Sequence, residues 1–301
     1  MRGEYSATMP VLGHEAVGVV RELGEGTRGF AAGDRVFPHH HVPCRSCYHC
    51  ARGDETLCPN YKDSNLDPGG FSEIIRVPRW NVEGGGVQKL PSELEFDLGS
   101  LVEPLACCIR ALDRCRRGTD DSILIVGAGP VGIMHALLAG SEGRRVLLSD
   151  VVKSRLEIAE NLGVGTVLNA ENDDVPRVAR DQTGGRGVDL AIVASGNPRA
   201  IVQALKSVRN GGRVCLFGIP VEGSALDYDL SKLYNSSVSL IPSYGAVEGD
   251  VAKAMKIVSA RSGEFGRVIT HRFPLRDFAK GVGAMVRGEG MKVVITSGGQ
   301  A

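Results

Sequence analysis

The chain has 301 residues, 43% of them hydrophobic, and its 35 lysines and arginines balance 35 aspartates and glutamates to a formal net charge of zero. That balance gives no reason to expect a nucleic-acid or acidic-membrane partner. No run approaches the ~20 apolar residues of a membrane span, and the polar N-terminus lacks an apolar signal-peptide core, so a cytoplasmic protein is expected. At roughly 150 residues per domain the length suggests two domains.

Residues 1 to about 100 carry short β-like runs, "AVGVVREL" and "RVFPHHHV", separated by glycine-rich turns. Ahead of the first run stands Gly13-His14-Glu15, which looks like part of a metal site. After the second comes "PCRSCYHCARGDETLC", which sets Cys44, Cys47, Cys50 and Cys58 at C-x2-C-x2-C-x7-C spacing. Four thiolates so placed can enclose one Zn²⁺ tetrahedrally and leave it no open position, so this zinc is expected to be structural. The loop is too small and polar to form a core, and zinc binding, worth ~10–16 kcal/mol in such sites, is expected to fold it. Cys108, Cys115 and Cys215 read as packing residues.

Near residue 104 the texture changes. "PLACCIRALDRC" has helical spacing, with Pro104 suited to the first helical position. The strand-like runs "SILIVGAG", "RRVLLSD", "TVLNA", "VDLAIVASG", "RVCLFGIP" and "SVSLIPSYG" follow, mostly separated by helical stretches such as "RLEIAENLG" and "PRAIVQALKSVRN". Near-continuous apolar strands alternating with helices imply an α/β fold with a doubly wound parallel sheet covered on both faces. From residue 246 helix, strand, helix and strand ("DVAKAMKIVSA", "VITHRF", "RDFAKGVGAMV", "KVVIT") suggest a return to the first domain. The expected organisation is 1–105, 106–245 and 246–301, with a zinc lobe over about 39–60.

"ILIVGAGPVG" puts Gly127, Gly129 and Gly132 directly after a strand and at the start of a helix, and Asp150 ends the next strand. This is the Rossmann dinucleotide fingerprint in its proper context. The first two glycines allow the tight turn and close approach of a pyrophosphate, the third lets helix pack on strand, and the helix N-terminus offers amide donors. Asp150 would accept hydrogen bonds from the adenosine ribose and repel a 2′-phosphate, which favours NAD over NADP. Arg155 either flanks that ribose or is a solvated helix charge.

Together these residues resemble the zinc-dependent medium-chain alcohol dehydrogenases, in particular the sorbitol and threonine dehydrogenase branch, over essentially the whole chain. "GHEAVGVVRELGEG" is similar to that family's zinc signature, the four-cysteine lobe to its structural zinc site, "GAGPVG" to its nucleotide turn, and "VEPLACC" to the branch with a glutamate beside the catalytic zinc. The resemblance implies a GroES-like, mainly-β catalytic domain beside the Rossmann domain. It implies NAD and zinc as cofactors and hydride transfer between a small-molecule alcohol and NAD. By position it implies His14 as the zinc-binding histidine, Glu15 as a carboxylate that can exchange with water, and Glu103 as the branch's glutamate. Pro130 and Val131 fall in the nucleotide turn, with Val131, Asp150 and Arg155 as NAD contacts. Phe217, Gly218 and Ile219 fall on the strand end passing the nicotinamide, and Ser243 and Tyr244 on the next. "SVSLI" resembles the edge strand through which such subunits join sheets, implying a homodimer or homotetramer.

Two family features are missing. The first zinc-ligating cysteine lies upstream of the Gly-His-Glu triplet in the family, only twelve residues precede Gly13 here, and none is cysteine. The expectation is that the segment bearing it, with the relay serine or threonine, is absent. Cys107, one helical turn from Glu103, and His39, His40 and His41 are the replacement candidates, although a histidine run entering a cysteine loop usually reads as partly exposed. Polyol dehydrogenases of the branch carry an arginine where Ser243 stands, which argues against sorbitol itself. The expected substrate is a secondary alcohol of polyol, diol or 3-hydroxy-amino-acid type. The alternatives are an NAD-binding, structural-zinc protein without a catalytic metal, and a zinc-free quinone or enone reductase.

Overall fold

A computed structural model describes residues 12–115 and 122–297. Two compact units are formed, one from residues 1–106 with 245–301 and the other from 107–244. Among the described residues no helix is long and apolar enough to cross a membrane.

In the first unit β1 (Gly18–Val19), β2 (Arg35–Pro38) and β3 (Val87–Lys89) form an antiparallel sheet in that order. Only two residues of the apolar run at 16–23 pair as strand. Val19 and Leu23 are 50% and 43% exposed, so its alternation buries too little to hold a longer one. Between β2 and β3 lie the cysteine loop and the short helices α1 (Pro59–Asp63) and α2 (Arg79–Glu83); α3 (Phe96–Gly99) and α4 (Val102–Cys115) follow. Helix α4 starts two residues earlier than Pro104 suggested. The proline is therefore third in the helix, still within the first turn, where a missing N–H costs no intrahelical bond.

The second unit alternates β4 (Ser122–Val126), α5 (Pro130–Ser141), β5 (Arg145–Asp150), α6 (Lys153–Leu162), β6 (Thr166–Asn169), α7 (Val175–Asp181), β7 (Val188–Val193), α8 (Pro198–Ser207), β8 (Val208–Leu216), α9 (Leu230–Ser236) and β9 (Ser239–Pro242). Its six strands are all parallel, in the order β6-β5-β4-β7-β8-β9. This doubly wound order reverses direction at β4 and β7, and ligands of such sheets bind outside the strands' carboxyl ends at that switch point. The core is apolar through both layers: Leu124, Leu147, Ala191 and Val214 from the strands, with Ala179 and Ala204 from the helices, are fully buried. Helix α8 stops at Ser207, earlier than its apolar spacing suggested, and Val208–Asn210 belong to β8. Its N-terminus is fixed by Asn197, whose side chain accepts the Arg199 N–H at 3.0 Å, followed by Pro198 at the first position.

The chain then returns to the first unit as α10 (Glu248–Ala260), α11 (Ser262–Gly266), β10 (Ile269–Pro274), α12 (Phe278–Val286) and β11 (Lys292–Thr296). β10 and β11 pair in parallel. Helix α10 begins at Glu248, ahead of the expected Asp250, because Asp250 accepts the Val247 N–H at 3.0 Å and caps the turn.

Candidate active site

The four-cysteine loop is built from two 3₁₀ turns, Cys50–Arg52 and Glu55–Leu57, the first closed by Gly53 in the left-handed region (φ 78°). The sulfurs of Cys44, Cys47, Cys50 and Cys58 all lie within 4.8 Å of one another. The Cys44 N–H points at Cys58 Sγ (3.4 Å), and the Cys47 and Cys50 sulfurs are 3.5 Å apart. The Ser46 amide and hydroxyl draw the Cys44 thiol down to about 6, whereas burial and the Cys47 sulfur push Cys50 up to about 12. Four sulfurs this close cannot all ionise on their own, and a divalent ion at their centre removes that conflict. The donor set fits zinc. The loop is tied down by Arg45, which donates to Gly84 O (3.0 Å) and pairs with the buried Glu248 carboxylate (2.8 Å).

A second group of donors lies in the same unit. His14, from the loop before β1, and Glu103, in the first turn of α4, approach to 3.8 Å between Nε2 and Oε2. His40, just beyond the end of β2, joins them, with the three donor atoms within 4.8 Å of one another. Glu15 is not in this group. Its carboxylate is bound by the Lys292 ammonium on β11. Nor is Cys107 part of it.

The histidine run is a correction to the sequence reading. His39, His40 and His41 are 0%, 3% and 3% exposed, not a partly exposed segment. Burial, reinforced by the neighbouring imidazoles, pushes His39 down to about 3 and His40 well below the usual histidine value, so both are neutral. A buried amide explains why this segment is held so firmly: Asn81 Nδ2 donates to His39 O (3.0 Å) and His40 O (2.8 Å). His41 packs between His40 and Tyr61, its ring 4.0 Å and 4.8 Å from theirs, with Nδ1 2.7 Å from Ser64 O. All three histidines lie beyond the end of β2 and are buried alike, so no local spacing singles out His40. Nothing local marks Asn81 or Lys292.

In the second unit the glycine turn has the form its spacing implied. Gly127 is in the left-handed region (φ 110°), and a Cβ on Gly132 would lie 1.8 Å from Gly127 O. A Cβ on Gly129, by contrast, meets nothing within 4 Å. The space beside Gly129, at the N-terminus of α5 with Pro130 first and Val131 second, is a cradle open to a pyrophosphate. Asp150 is buried at the carboxyl end of β5. Its Oδ2 accepts the Ala128 N–H (2.6 Å) and its Oδ1 those of Val151 and Val152 (2.7 and 2.9 Å). A carboxylate has about four lone-pair positions, so capacity remains for a ribose hydroxyl. Arg155 lies beside it, Nη1 to Oδ2 3.8 Å.

Phe217 and Gly218 follow β8, and both N–H groups donate to Val193 O (3.2 and 2.8 Å). Gly218 presses on the Ser195 backbone, where a Cβ would come to 2.4 Å, and Gly196 likewise on Ile219 O at 2.3 Å. Ser195 and Gly196, the tail of the strand-like run "VDLAIVASG", are thus part of this crevice edge. Ile219 is 76% exposed. Ser243 donates its N–H to Leu216 O (3.1 Å), and its buried hydroxyl has no partner among the described residues. Tyr244 follows directly. An open glycine cradle, an acid with spare acceptor capacity and an orphaned hydroxyl at the strand ends fit a dinucleotide.

A chain carrying both a dinucleotide cradle and a histidine–carboxylate metal group has the equipment of a metal-assisted oxidoreductase. Comparison with known proteins agrees. Residues 1–92 match the alcohol dehydrogenase GroES-like domain and residues 130–260 the zinc-binding dehydrogenase domain. The chain is 33% identical over 294 residues to an L-threonine 3-dehydrogenase of Burkholderia ambifaria, spanning 96% of this chain and 83% of that protein. The alcohol dehydrogenase of Thermus sp. ATN1 superposes with a TM-score of 0.81 at 30% identity, covering 95% and 84% of the two chains. The 2R,3R-butanediol dehydrogenase of Bacillus subtilis shares the fold, with a TM-score of 0.81 at 24% identity over 95% and 80% of the chains. The chain belongs to the zinc-dependent medium-chain alcohol dehydrogenase family and is a dehydrogenase.

Proposed function

We propose that this dehydrogenase oxidises a secondary alcohol of polyol, diol or 3-hydroxy-amino-acid type with NAD⁺, giving the ketone, NADH and a proton. The observation that carries the reading is the approach of His14 and Glu103 to 3.8 Å in a chain that also bears the glycine cradle with Asp150. His14 and Glu103 hold the catalytic metal; Cys44, Cys47, Cys50 and Cys58 hold the structural one. When bound, a catalytic zinc supplies Lewis acidity that favours the alkoxide form of the substrate, and NAD⁺ supplies the hydride acceptor.

The protein's own part is orientation. The N-terminus of α5 and the backbone about Gly129 receive the pyrophosphate, and Asp150 accepts from the adenosine ribose, where its charge disfavours a 2′-phosphate. Phe217, Gly218, Ile219, Ser243 and Tyr244 flank the nicotinamide, and the Ser243 hydroxyl has a hydrogen bond to give there. Glu15, neutralised by Lys292, adds no net charge beside His14. Kinship with threonine dehydrogenases supports a hydroxy-amino acid among the substrates, and the position of β9 as the terminal strand of the sheet supports association into a homodimer or homotetramer.

The test is a panel of L-threonine, 2,3-butanediol, sorbitol and simple primary alcohols with the zinc-loaded protein, using NAD⁺ and NADP⁺ separately. The reading expects turnover with at least one secondary alcohol, higher kcat/KM with NAD⁺, and sorbitol among the poor substrates. Reduction of quinones with no alcohol oxidised would overturn it.

A further inference from the structure

We propose that His40 is the third protein ligand of the catalytic metal, completing a two-histidine, one-carboxylate set with His14 and Glu103. The inference rests on the dehydrogenase reading above and adds a ligand to it.

Three separate segments converge on this point: the loop before β1, the end of β2 and the first turn of α4. A tetrahedral ion with bonds of about 2.0–2.1 Å holds its donor atoms about 3.3 Å apart. His14 Nε2 and Glu103 Oε2 stand at 3.8 Å, and all three donors fall within 4.8 Å, so binding asks for a contraction that side-chain rotation can supply. The His40 ring lies 4.5 Å from that of His14, tilted at 43°.

His40 is also held in place to do this. Its carbonyl is gripped by the fully buried Asn81 amide at 2.8 Å, which fixes the backbone from which the ring projects. Its neighbours pack against it but have partners of their own: the His41 ring is 4.0 Å from that of His40 with Nδ1 2.7 Å from Ser64 O, and His39 lies alongside Phe37 with ring centroids 6.3 Å apart. Glu15, the one other carboxylate adjoining His14 in sequence, is drawn to Lys292. The donor set is then two imidazoles and one carboxylate. It carries a single negative charge and leaves one position open, as a metal that must receive a substrate oxygen requires.

The test uses the 301-residue chain loaded with Co²⁺, read by metal content per chain and by the visible spectrum. Thiolate coordination in the cysteine lobe gives an intense near-ultraviolet charge-transfer band, whereas a histidine–carboxylate site adds only weak d–d bands, so the two sites report separately. The wild type is expected to bind two ions. His40→Ala is expected to bind one, with second-site affinity reduced by about a hundredfold or more and the thiolate band intact. That intact band, with undiminished NADH binding, shows that the variant is folded, and His40→Cys is expected to restore the second ion. His41→Ala is expected to keep both. If His40→Ala keeps two ions and an unchanged spectrum while His14→Ala loses one, His40 is not a ligand and the dehydrogenase reading stands. If the wild type binds only the lobe ion, the ligand set and that reading fall together.

Discussion

The glycine turn permits a test in which two substitutions of identical chemistry act on different properties. Gly132 sits in the first turn of α5, where a Cβ would be 1.8 Å from Gly127 O and 3.0 Å from Gly127 C. An ordinary carbon–oxygen contact is about 3.3–3.6 Å. The alanine must therefore push two stretches of backbone apart by about 1.5 Å, and no rotamer relieves it. Overpacking costs about 1–3 kcal/mol, and with backbone on both sides Gly132→Ala should cost about 3 kcal/mol. That corresponds to roughly 6–12 °C in Tm for a unit of this size. Gly129, with φ −68° and ψ −179° and nothing within 4 Å, can accept a Cβ without strain. Gly129→Ala should keep stability within about 0.5 kcal/mol of wild type. Yet its methyl group fills the cradle, and NADH affinity should fall by at least about tenfold, or 1.4 kcal/mol. Gly140→Ala, exposed and unobstructed later in α5, serves as control and should gain about 0.5–1 kcal/mol. Thermal unfolding by circular dichroism and NADH fluorescence titration measure both properties. A Gly132→Ala protein that melts like wild type, or a Gly129→Ala protein that binds NADH as tightly, would refute the reasoning.

Other consequences follow from named contacts. Asp150→Asn keeps an acceptor for Val151 and Val152 but loses the charge, and should narrow the NAD⁺/NADP⁺ gap in kcat/KM by about tenfold, or 1.4 kcal/mol; an unchanged ratio would show that the carboxylate does not set cofactor choice. His135 is fully buried on α5, its ring nitrogens have no partner among the described residues, and burial pushes it down to about 3. As pH falls below 6.5 the unfolded chain takes up a proton that the native state refuses, so stability falls by about 1.4 kcal/mol per pH unit until pH about 3. His135→Leu should flatten that part of the pH–stability curve in urea titrations, and an identical slope would contradict it. The Tyr61 hydroxyl donates to Ala246 O (2.7 Å) and accepts from Ala246 N (3.1 Å) in a fully buried position. Tyr61→Phe strands both backbone groups and should lower stability by about 1–3 kcal/mol in a denaturant titration; no loss would mean that other partners replace the hydroxyl.

The parallel sheet was legible because its signals are local. Each strand is a short apolar run, each helix follows at regular distance, and the GAGPVG turn fixes its own geometry through glycines that only a tight backbone needs. The four-cysteine loop was legible for the same reason, its donors lying within fifteen residues of one another. The β1 region was less so, since its apolar residues alternate without a buried face to receive them. The metal group shows where the sequence stopped. His14 and Glu103 could be matched by motif, but the role of Glu15 is decided by Lys292, 277 residues away. The backbone of His40 is likewise fixed by Asn81, which carries no motif of its own. Pairings of that kind come from the tertiary fold and leave no trace in local spacing.

The central claim is hydride transfer from a secondary carbinol carbon to NAD⁺. The most direct measurement is single-turnover reaction of the zinc-loaded protein with a secondary alcohol deuterated at the carbinol carbon, with the reduced cofactor analysed by mass spectrometry. The account predicts one deuterium in the NADH, and none when the unlabelled alcohol reacts in D₂O. Reduced cofactor whose new hydrogen comes from solvent, or no reduction with any secondary alcohol while NADH still binds, would contradict it.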